Sequence, residues 1–513
     1  MPEQSSRRVP KRIASIIINS LKGGVVPRIG LPYITVGRAR EIEAFLHDLG
    51  LVADGGASFR FIVGRYGSGK SFLLQTIRNH AVGQGFVVCD ADLSPERRLQ
   101  GTQGQGLATY RELIRNLATK TQPEGGALNL VLDRWISQVQ SAVVTEDGIT
   151  PDDPAFAQAV ETRIYATVSK LEGLVHGYDF SQLLNRYWRA HLIGDDETKS
   201  HVIKWFRGEY RTKTEARQEL GVNIIIDDDS WYDYLKLFAE FFCGAGYKGL
   251  IVEIDELVNL YKIPNAISRQ YNYEKILAMY NDTLQGKAHH LGIIMSGTPQ
   301  SIEDRRRGLY SYEALRSRLT QGRFAREGMT DMLAPVIHLE PLTPEELLVL
   351  TEKLADIHAG FFGYPRSIDD AGLARFLQAE YRREGASSHL TPREVIRDFI
   401  EMLDILFQNP QLGLDDLLES DALAAPVKTP VELAEEVRGV GAAGGSIAAG
   451  AAWAANGAST TGAAWAAGGS KSAGAAQGSS GLGASHAAGA AGATRVAGVS
   501  PASRDDELAS FEL

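Results

Sequence analysis

Apolar positions along the chain follow two rhythms. Short runs of mostly consecutive apolar residues recur at 59–64 (FRFIVG), 86–93 (FVVCDADL), 249–256 (GLIVEIDE), 291–298 (LGIIMSGT) and 335–342 (PVIHLEPL). Runs of this kind predict buried strands, and the helical stretches between them predict parallel crossovers. Elsewhere the spacing is three and four: Ile13, Ile16, Ile17 and Leu21 share one face over 10–22, and Gly23-Gly24 closes that helix. The expected fold class is α/β, a three-layer arrangement around a parallel sheet.

The second and third apolar runs are separated by about 150 residues, too many for one crossover. Leu107, Tyr110, Leu113, Ile114 and Leu117 form one helical stripe there, and Phe156, Val160, Ile164, Val168 and Leu171 form another. We read about 100–240 as a helical insertion. From Pro344 the spacing is helical to about residue 407, which predicts a helical lid. The expected organisation is an N-terminal helical extension (1–34), an α/β core carrying the insertion (35–342), the lid (343–430) and a tail (431–513).

Composition alters this picture mainly at the C-terminal end. The chain has 513 residues and 53 glycines, and Ala, Gly, Ser and Thr fill 46 of the 54 positions from 441 to 494. A segment with so little apolar side chain to bury is expected to be disordered. It carries AAWAA twice and ends in DDELASFEL, where Leu508, Phe511 and Leu513 are anchors of a docking peptide or parts of a solubilising acidic end. Two cysteines, Cys89 and Cys243, exclude a disulfide framework and a thiolate metal cluster, as in a reducing cytoplasm. No run approaches the roughly 20 apolar residues of a membrane span. A net charge of −10 argues against indiscriminate binding of polyanions, though a local basic patch is compatible with it.

The chemistry concentrates after the first strand. GRYGSGKS (64–71) fits the G-x-x-x-x-G-K-[ST] spacing between a strand and a helix. Backbone N–H groups of Gly64, Arg65, Tyr66, Gly67, Ser68, Gly69, Lys70 and Ser71, with Phe72 following, would wrap a nucleotide's phosphates. Lys70 would bridge the β- and γ-phosphates, and the Ser71 hydroxyl would hold Mg²⁺. LIVEIDE (250–256) ends a buried strand in two carboxylates, a costly arrangement unless they meet a cation or a reacting water. Asp255 would serve the Mg²⁺ shell and Glu256 would polarise the attacking water, which favours hydrolysis of ATP.

On these motifs the chain resembles the P-loop NTPases of the AAA+ group, in particular the origin-recognition and helicase-loader clade. VGRAREIEAF (36–45) is similar to that clade's box before the phosphate loop, which would bring Gly37 and Arg38 to the adenine. The resemblance puts a polar sensor at the end of the fourth strand, Thr298 or else Ser296, and a second sensor in TPREVIRDF (391–399), with Arg393 near the γ-phosphate. GGVVPRIGLPYITVGR, FIVGRYGSGKSFLL, PEGGALNLVLDRW, GYKGLIVEIDELVNLYK, YEKILAMYNDTLQG and GLYSYEALRSRL together resemble the bacterial BREX system ATP-binding domain family of phage-defence loci. That resemblance implies an ATPase acting as a motor or switch beside DNA-modifying or DNA-sensing partners. A second reading is an ATP-dependent oligomerising scaffold or signalling switch with little hydrolysis.

Seven arginines lie in 303–326: Arg305, Arg306, Arg307, Arg316, Arg318, Arg323 and Arg326. They form a solvated face, or one of them completes a neighbour's site in a homo-oligomer; Arg318 is the candidate for that role. NRYWRAHLIG (185–194) and VIKWFRGEYRTK (202–213) interleave aromatic and basic residues. Their Tyr187, Trp188, Trp205 and Phe206 form either a stacking surface for single-stranded nucleic acid or helical core. The adjacent pair His289-His290 lacks the spaced partners of a metal site and is set aside.

Overall fold

In a computed structural model, the described residues are 9–322, 331–383 and 390–418. The expected disorder of 431–513, the DDELASFEL end, residues 419–430 of the expected lid, Arg323 and Arg326 all lie outside them.

All five apolar runs form strands: β1 (Ala57–Val63), β2 (Val87–Asp92), β3 (Leu250–Asp255), β4 (Leu291–Gly297) and β5 (Val336–His338). They build one parallel sheet in the order β2-β3-β4-β1-β5. Alternation along the strands divides their side chains between two cores. Ile62, Val88, Ile251 and Ile294 face Phe45, Leu49, Leu73 and Ile77 on the helices Ala39–Ala53 and Lys70–Gln84. Phe59, Phe61, Val87 and Cys89 face the other way, into a core continuous with the segment between β2 and β3. Among the described residues no helix is long and apolar enough to cross a membrane.

That segment holds seven helices, from Gln105–Arg115 to Trp231–Gly244. Both expected stripes lie in the core, with Tyr110, Leu113, Val160 and Ile164 fully buried. Tyr187, Trp188, Trp205 and Phe206 are at most 2% exposed, so the stacking-surface reading of 185–213 fails and the core reading holds. Their geometry agrees: Phe180 packs edge-on against Phe238, and Trp205 edge-on against Tyr234. The cations between them are engaged, Lys204 with Glu215 at 2.7 Å and the Arg186 guanidinium with the Leu220 carbonyl at 2.6 Å. His289 and His290 each turn Nδ1 toward a backbone carbonyl, those of Gly55 and Val52.

The helices Pro344–Phe362, Asp370–Arg382 and Pro392–Gln408 make a separate apolar cluster. The first and last of these begin with capping boxes, Thr343 with Glu346 and Thr391 with Glu394, which fix where each helix starts. Ala14, Ile17, Ile18 and Leu21 of the N-terminal helix Lys11–Lys22 lie in the same cluster, packed against Leu350, Leu354, Phe399 and Leu403. A polar chain runs through it. Lys22 Nζ donates to Asp404 at 2.5 Å, Asp404 faces His358 Nε2 at 3.1 Å, and His358 Nδ1 faces the Tyr364 hydroxyl at 2.7 Å.

Burial holds the His358 imidazole below its usual range, against the opposing pull of Asp404. The folded protein therefore keeps it neutral, while the unfolded chain takes up a proton near the ordinary histidine value, so its contribution to stability is lost as pH falls through that value. His358→Gln should lower Tm by about 2–6 °C near neutral pH through lost buried hydrogen bonds. The gap to wild type should narrow at about pH 5. Thermal melts across that range check both the sign and the trend.

Candidate functional site

The strand ends β1, β4 and β3 lie side by side, and the first and last of them carry the two acidic and glycine-rich motifs. The loop after β1 turns into the helix Lys70–Gln84 through Gly67 and Gly69, with φ of 79° and 97°, a region that side-chain-bearing residues enter only under strain. A Cβ at Gly67 would stand 2.7 Å from Thr391 Oγ1, and one at Gly64 would stand 2.4 Å from Ser68 Oγ. The loop is thus pressed directly against the start of the helix Pro392–Gln408. A Cβ at Gly69 would meet nothing within 4 Å.

Lys70 Nζ donates to the Arg65 carbonyl at 3.0 Å. Burial lowers its pKa, Asp255 and Glu256 pull it back up, and Arg393 adds to the lowering. The cation is therefore surrounded by both signs of charge. Ser71 Oγ donates to Asp255 Oδ2 at 2.8 Å. The other oxygen, Oδ1, accepts from the Glu256 amide at 2.7 Å and from the buried Ser296 hydroxyl on β4. Asp255, 8% exposed, is satisfied from three directions, as a buried carboxylate must be.

Glu256 adopts φ 64°, an uncommon conformation without glycine, which the neighbouring bonds impose. Its amide is held by Asp255, the Leu257 amide reaches the Ser296 carbonyl at 3.1 Å, and the Asn259 side chain reaches the Leu93 carbonyl at 2.7 Å. Burial raises the Glu256 pKa, and the charge of Asp255 raises it further, while Lys70 opposes both. One carboxylate was not singled out from the sequence: Asp92, which stands opposite Asp255 in the β2–β3 register and is pushed up to about 6 by burial and by Asp255. Its signal lay in the FVVCDADL run, whose acidic end matches that of LIVEIDE.

Arg38, Tyr66, Gly67, Ser68, Gly69, Lys70, Ser71, Phe72, Glu256 and Arg393 line one cleft. Its apolar side, also not singled out from the sequence, comes from Val25, Val26, Val36, Leu342, Leu350 and Ile396. Gly37, at φ 65°, lies where a Cβ would strike Glu346 Oε1 at 2.8 Å, so the box before the phosphate loop abuts the helix Pro344–Phe362. Arg38, also left-handed at φ 62°, donates to the Ser68 carbonyl at 3.2 Å and to Glu41 at 3.2 Å. It grips the back of the phosphate loop. The Arg393 guanidinium lies 5.0 Å from the centre of the Tyr66 ring.

Gly37, Gly64, Arg65, Asp255, Thr298 and Arg318 are not among the residues that line the cleft, and the last two are engaged elsewhere. The Thr298 hydroxyl caps the short helix Pro299–Glu303 by accepting from the Ser301 amide, whereas Ser296 is the residue that reaches Asp255. Arg318 is on the helix Glu313–Leu319, where its guanidinium donates to the Ala314 carbonyl at 2.7 Å. Of its neighbours, Arg307 stacks on Tyr261 and Arg316 pairs with Glu313.

The sequence of this chain matches the family described as BREX system ATP-binding protein BrxC/D over residues 9–422, and the chain belongs to that family. No curated protein matches it. The matched span covers the sheet, the segment between β2 and β3, and the helices up to Leu418.

The glycine geometry separates two substitutions that look alike in sequence. Gly69→Ala meets only the left-handed strain, about 1–2 kcal/mol. Gly67→Ala meets that strain and the Thr391 side chain as well, and should cost about 1 kcal/mol more. Urea unfolding of the two variants measures the difference; equal costs would mean the loop does not press on Thr391.

Proposed function

We propose that this chain is an AAA+ ATPase that binds ATP and Mg²⁺, hydrolyses the nucleotide, and acts as a motor or switch in a DNA-directed anti-phage defence system. What carries the reading is the convergence of Lys70, Arg393, Glu256 and the Ser71–Asp255 pair on one cleft. The strand order supports the AAA+ assignment, because it sets β4 directly beside the phosphate-loop strand β1 and β3 next beyond β4. Family membership supports the ATP site and the defence role.

In this reading the loop amides and the N-terminal end of the helix Lys70–Gln84 bind the phosphates, and Lys70 neutralises β- and γ-oxygens. Ser71 Oγ and Asp255 Oδ2, hard oxygen donors 2.8 Å apart, suit a Mg²⁺ ion that keeps most of its waters, and these two residues would hold it. Bound there, Mg²⁺ would offset charge on the β- and γ-phosphates. Glu256 orients the attacking water and accepts a hydrogen bond from it, and its raised pKa makes it the stronger base. The water oxygen bonds to the γ-phosphorus as its proton passes to Glu256, the bond from that phosphorus to the bridging oxygen breaks, and ADP and inorganic phosphate leave. Arg393 stabilises the γ-phosphate, and the bond to Asp255 favours Ser296 over Thr298 as the sensor on β4. Val25, Val26 and Leu342 offer the adenine an apolar wall, beside Gly37 and Arg38.

Residues 343–430 act as the lid on a core at 35–342. The chain works as a homo-oligomer beside other proteins of the defence system, and Arg318 reaches the γ-phosphate in a neighbouring subunit.

The test is phosphate release by wild type, Lys70→Ala and Glu256→Gln, with and without duplex and single-stranded DNA. Both substitutions should lower kcat by about 100-fold or more. Equal release by wild type and Lys70→Ala under every condition would end the hydrolase reading, and normal turnover by Glu256→Gln would remove Glu256 from the water. For Arg318, mixing Arg318→Ala with Lys70→Ala subunits should restore turnover, because intact sites then meet intact arginines; no gain on mixing refutes the shared site.

A further inference from the structure

Tyr66 is the half-buried aromatic residue of the phosphate loop, at a position where the G-x-x-x-x-G-K-[ST] spacing asks for no particular side chain. Two cations converge on its ring: the Arg393 guanidinium at 5.0 Å and the Lys70 ammonium at 6.0 Å from the ring centre. They come from different parts of the fold, Lys70 from the start of the helix after β1 and Arg393 from the first turn of Pro392–Gln408. Their approach is set by the backbone. Gly67 follows Tyr66, Thr391 precedes Pro392-Arg393, and the two partners stand so close that a Cβ at Gly67 would be 2.7 Å from Thr391 Oγ1.

Bringing two cations to one point is unfavourable, and the proximity of Arg393 depresses the Lys70 pKa. The face of an aromatic ring carries partial negative charge and attracts a cation by about 0.5–2 kcal/mol, depending on exposure. A ring shared by two cations offsets part of their repulsion while carrying no formal charge of its own. A carboxylate in its place would compete with phosphate for both cations, and an aliphatic side chain would add nothing to the relief that Asp255 and Glu256 give Lys70. The ring therefore holds the cations converged and still lets them turn to a ligand.

We propose that Tyr66 is a positioning residue that holds Lys70 and Arg393 together through its ring face, setting the affinity of the cleft for a nucleoside triphosphate and latching the Arg393 helix to the phosphate loop. This inference rests on the ATP-binding reading and adds to it a residue that acts through two others. Its hydroxyl is not required, so the aromatic face alone should be sufficient.

The experiment is titration of the full-length chain with a fluorescent ATP analogue and, separately, the matching ADP analogue, for wild type, Tyr66→Phe, Tyr66→Leu, Arg393→Ala and the double variant Tyr66→Leu/Arg393→Ala, each with its Tm. Tyr66→Phe should bind within about twofold of wild type. Tyr66→Leu should weaken ATP by about 3- to 10-fold and ADP less, because Arg393 serves the γ-phosphate. The double variant should be little worse than Arg393→Ala alone, the non-additivity of residues acting as a unit. Wild-type affinity in Tyr66→Leu, equal loss in Tyr66→Phe, or full additivity in the double variant would each overturn the proposal. A lowered Tm with unchanged ATP affinity would do the same, leaving Tyr66 a purely structural residue. Should Tyr66→Leu fail to fold, Tyr66→Gln serves in its place. Lys70→Ala is the control for the underlying reading: if it binds ATP as tightly as wild type, the ATP site itself is wrong, whatever Tyr66 does.

Discussion

A charge at the end of a buried strand sets the terms for everything around it. Asp255 has left water almost completely, and an unsatisfied carboxylate there would cost several kcal/mol. It is made tolerable by Ser71 from the helix after β1, Ser296 from β4 and the Glu256 amide. These bonds tie three neighbouring strand ends to one point. They also force Glu256 into its left-handed backbone conformation, which aims its side chain into the cleft lining. The carboxylate is thus both costly to bury and the group that gives the site its shape.

Much of this was legible beforehand, for physical reasons. Parallel strands covered on both faces must be apolar at nearly every position, so five short runs stood out. The phosphate loop is legible because its spacing is dictated by backbone geometry; Gly67 and Gly69 cannot be replaced without strain. Less legible was anything decided by partners distant in sequence. Ser296 and Thr298 are both polar residues at the end of β4, and only the fold shows which of them faces Asp255 and which caps a helix. The aromatic–basic stretches of 185–213 read two ways because tryptophan beside arginine suits a core helix and a stacking surface equally. Burial of Trp188 and Trp205 decided that question. The apolar half of the cleft was hidden for a different reason: valines at 25, 26 and 36 look like any other loop valines until Leu342 and Leu350 arrive opposite them.

The helices after Thr343 do not form a core by themselves. Their apolar cluster includes the helix Lys11–Lys22, and Lys22 donates into the polar chain that passes through the buried His358 to Tyr364. Lys70 and Ser71 belong to the helix that packs on the sheet, while Val25 and Val26 follow the helix that packs with Pro344–Phe362. A ligand spanning the cleft would therefore touch two separately packed cores, joined where Gly67 meets Thr391.

The pairing of β2 with β3 has a consequence for synthesis on the ribosome. These strands are hydrogen-bonded in register, yet Asp92 and Leu250 bracket the seven helices that lie between them. At typical elongation rates of about 5–20 residues per second, β2 leaves the ribosome roughly 10–30 s before its partner exists. Over that interval a bare apolar strand invites the wrong neighbour. The chain supplies an early cover: Ala118, which emerges only a few seconds after Val88, forms an antiparallel bridge with it through both of its backbone groups. The helices, rich in local contacts, can condense meanwhile and bring the two ends of the long connection near each other, so that β3 arrives at a strand already half protected. The insertion that separates the two halves of the sheet in sequence is, on this timescale, what holds the first half in readiness for the second.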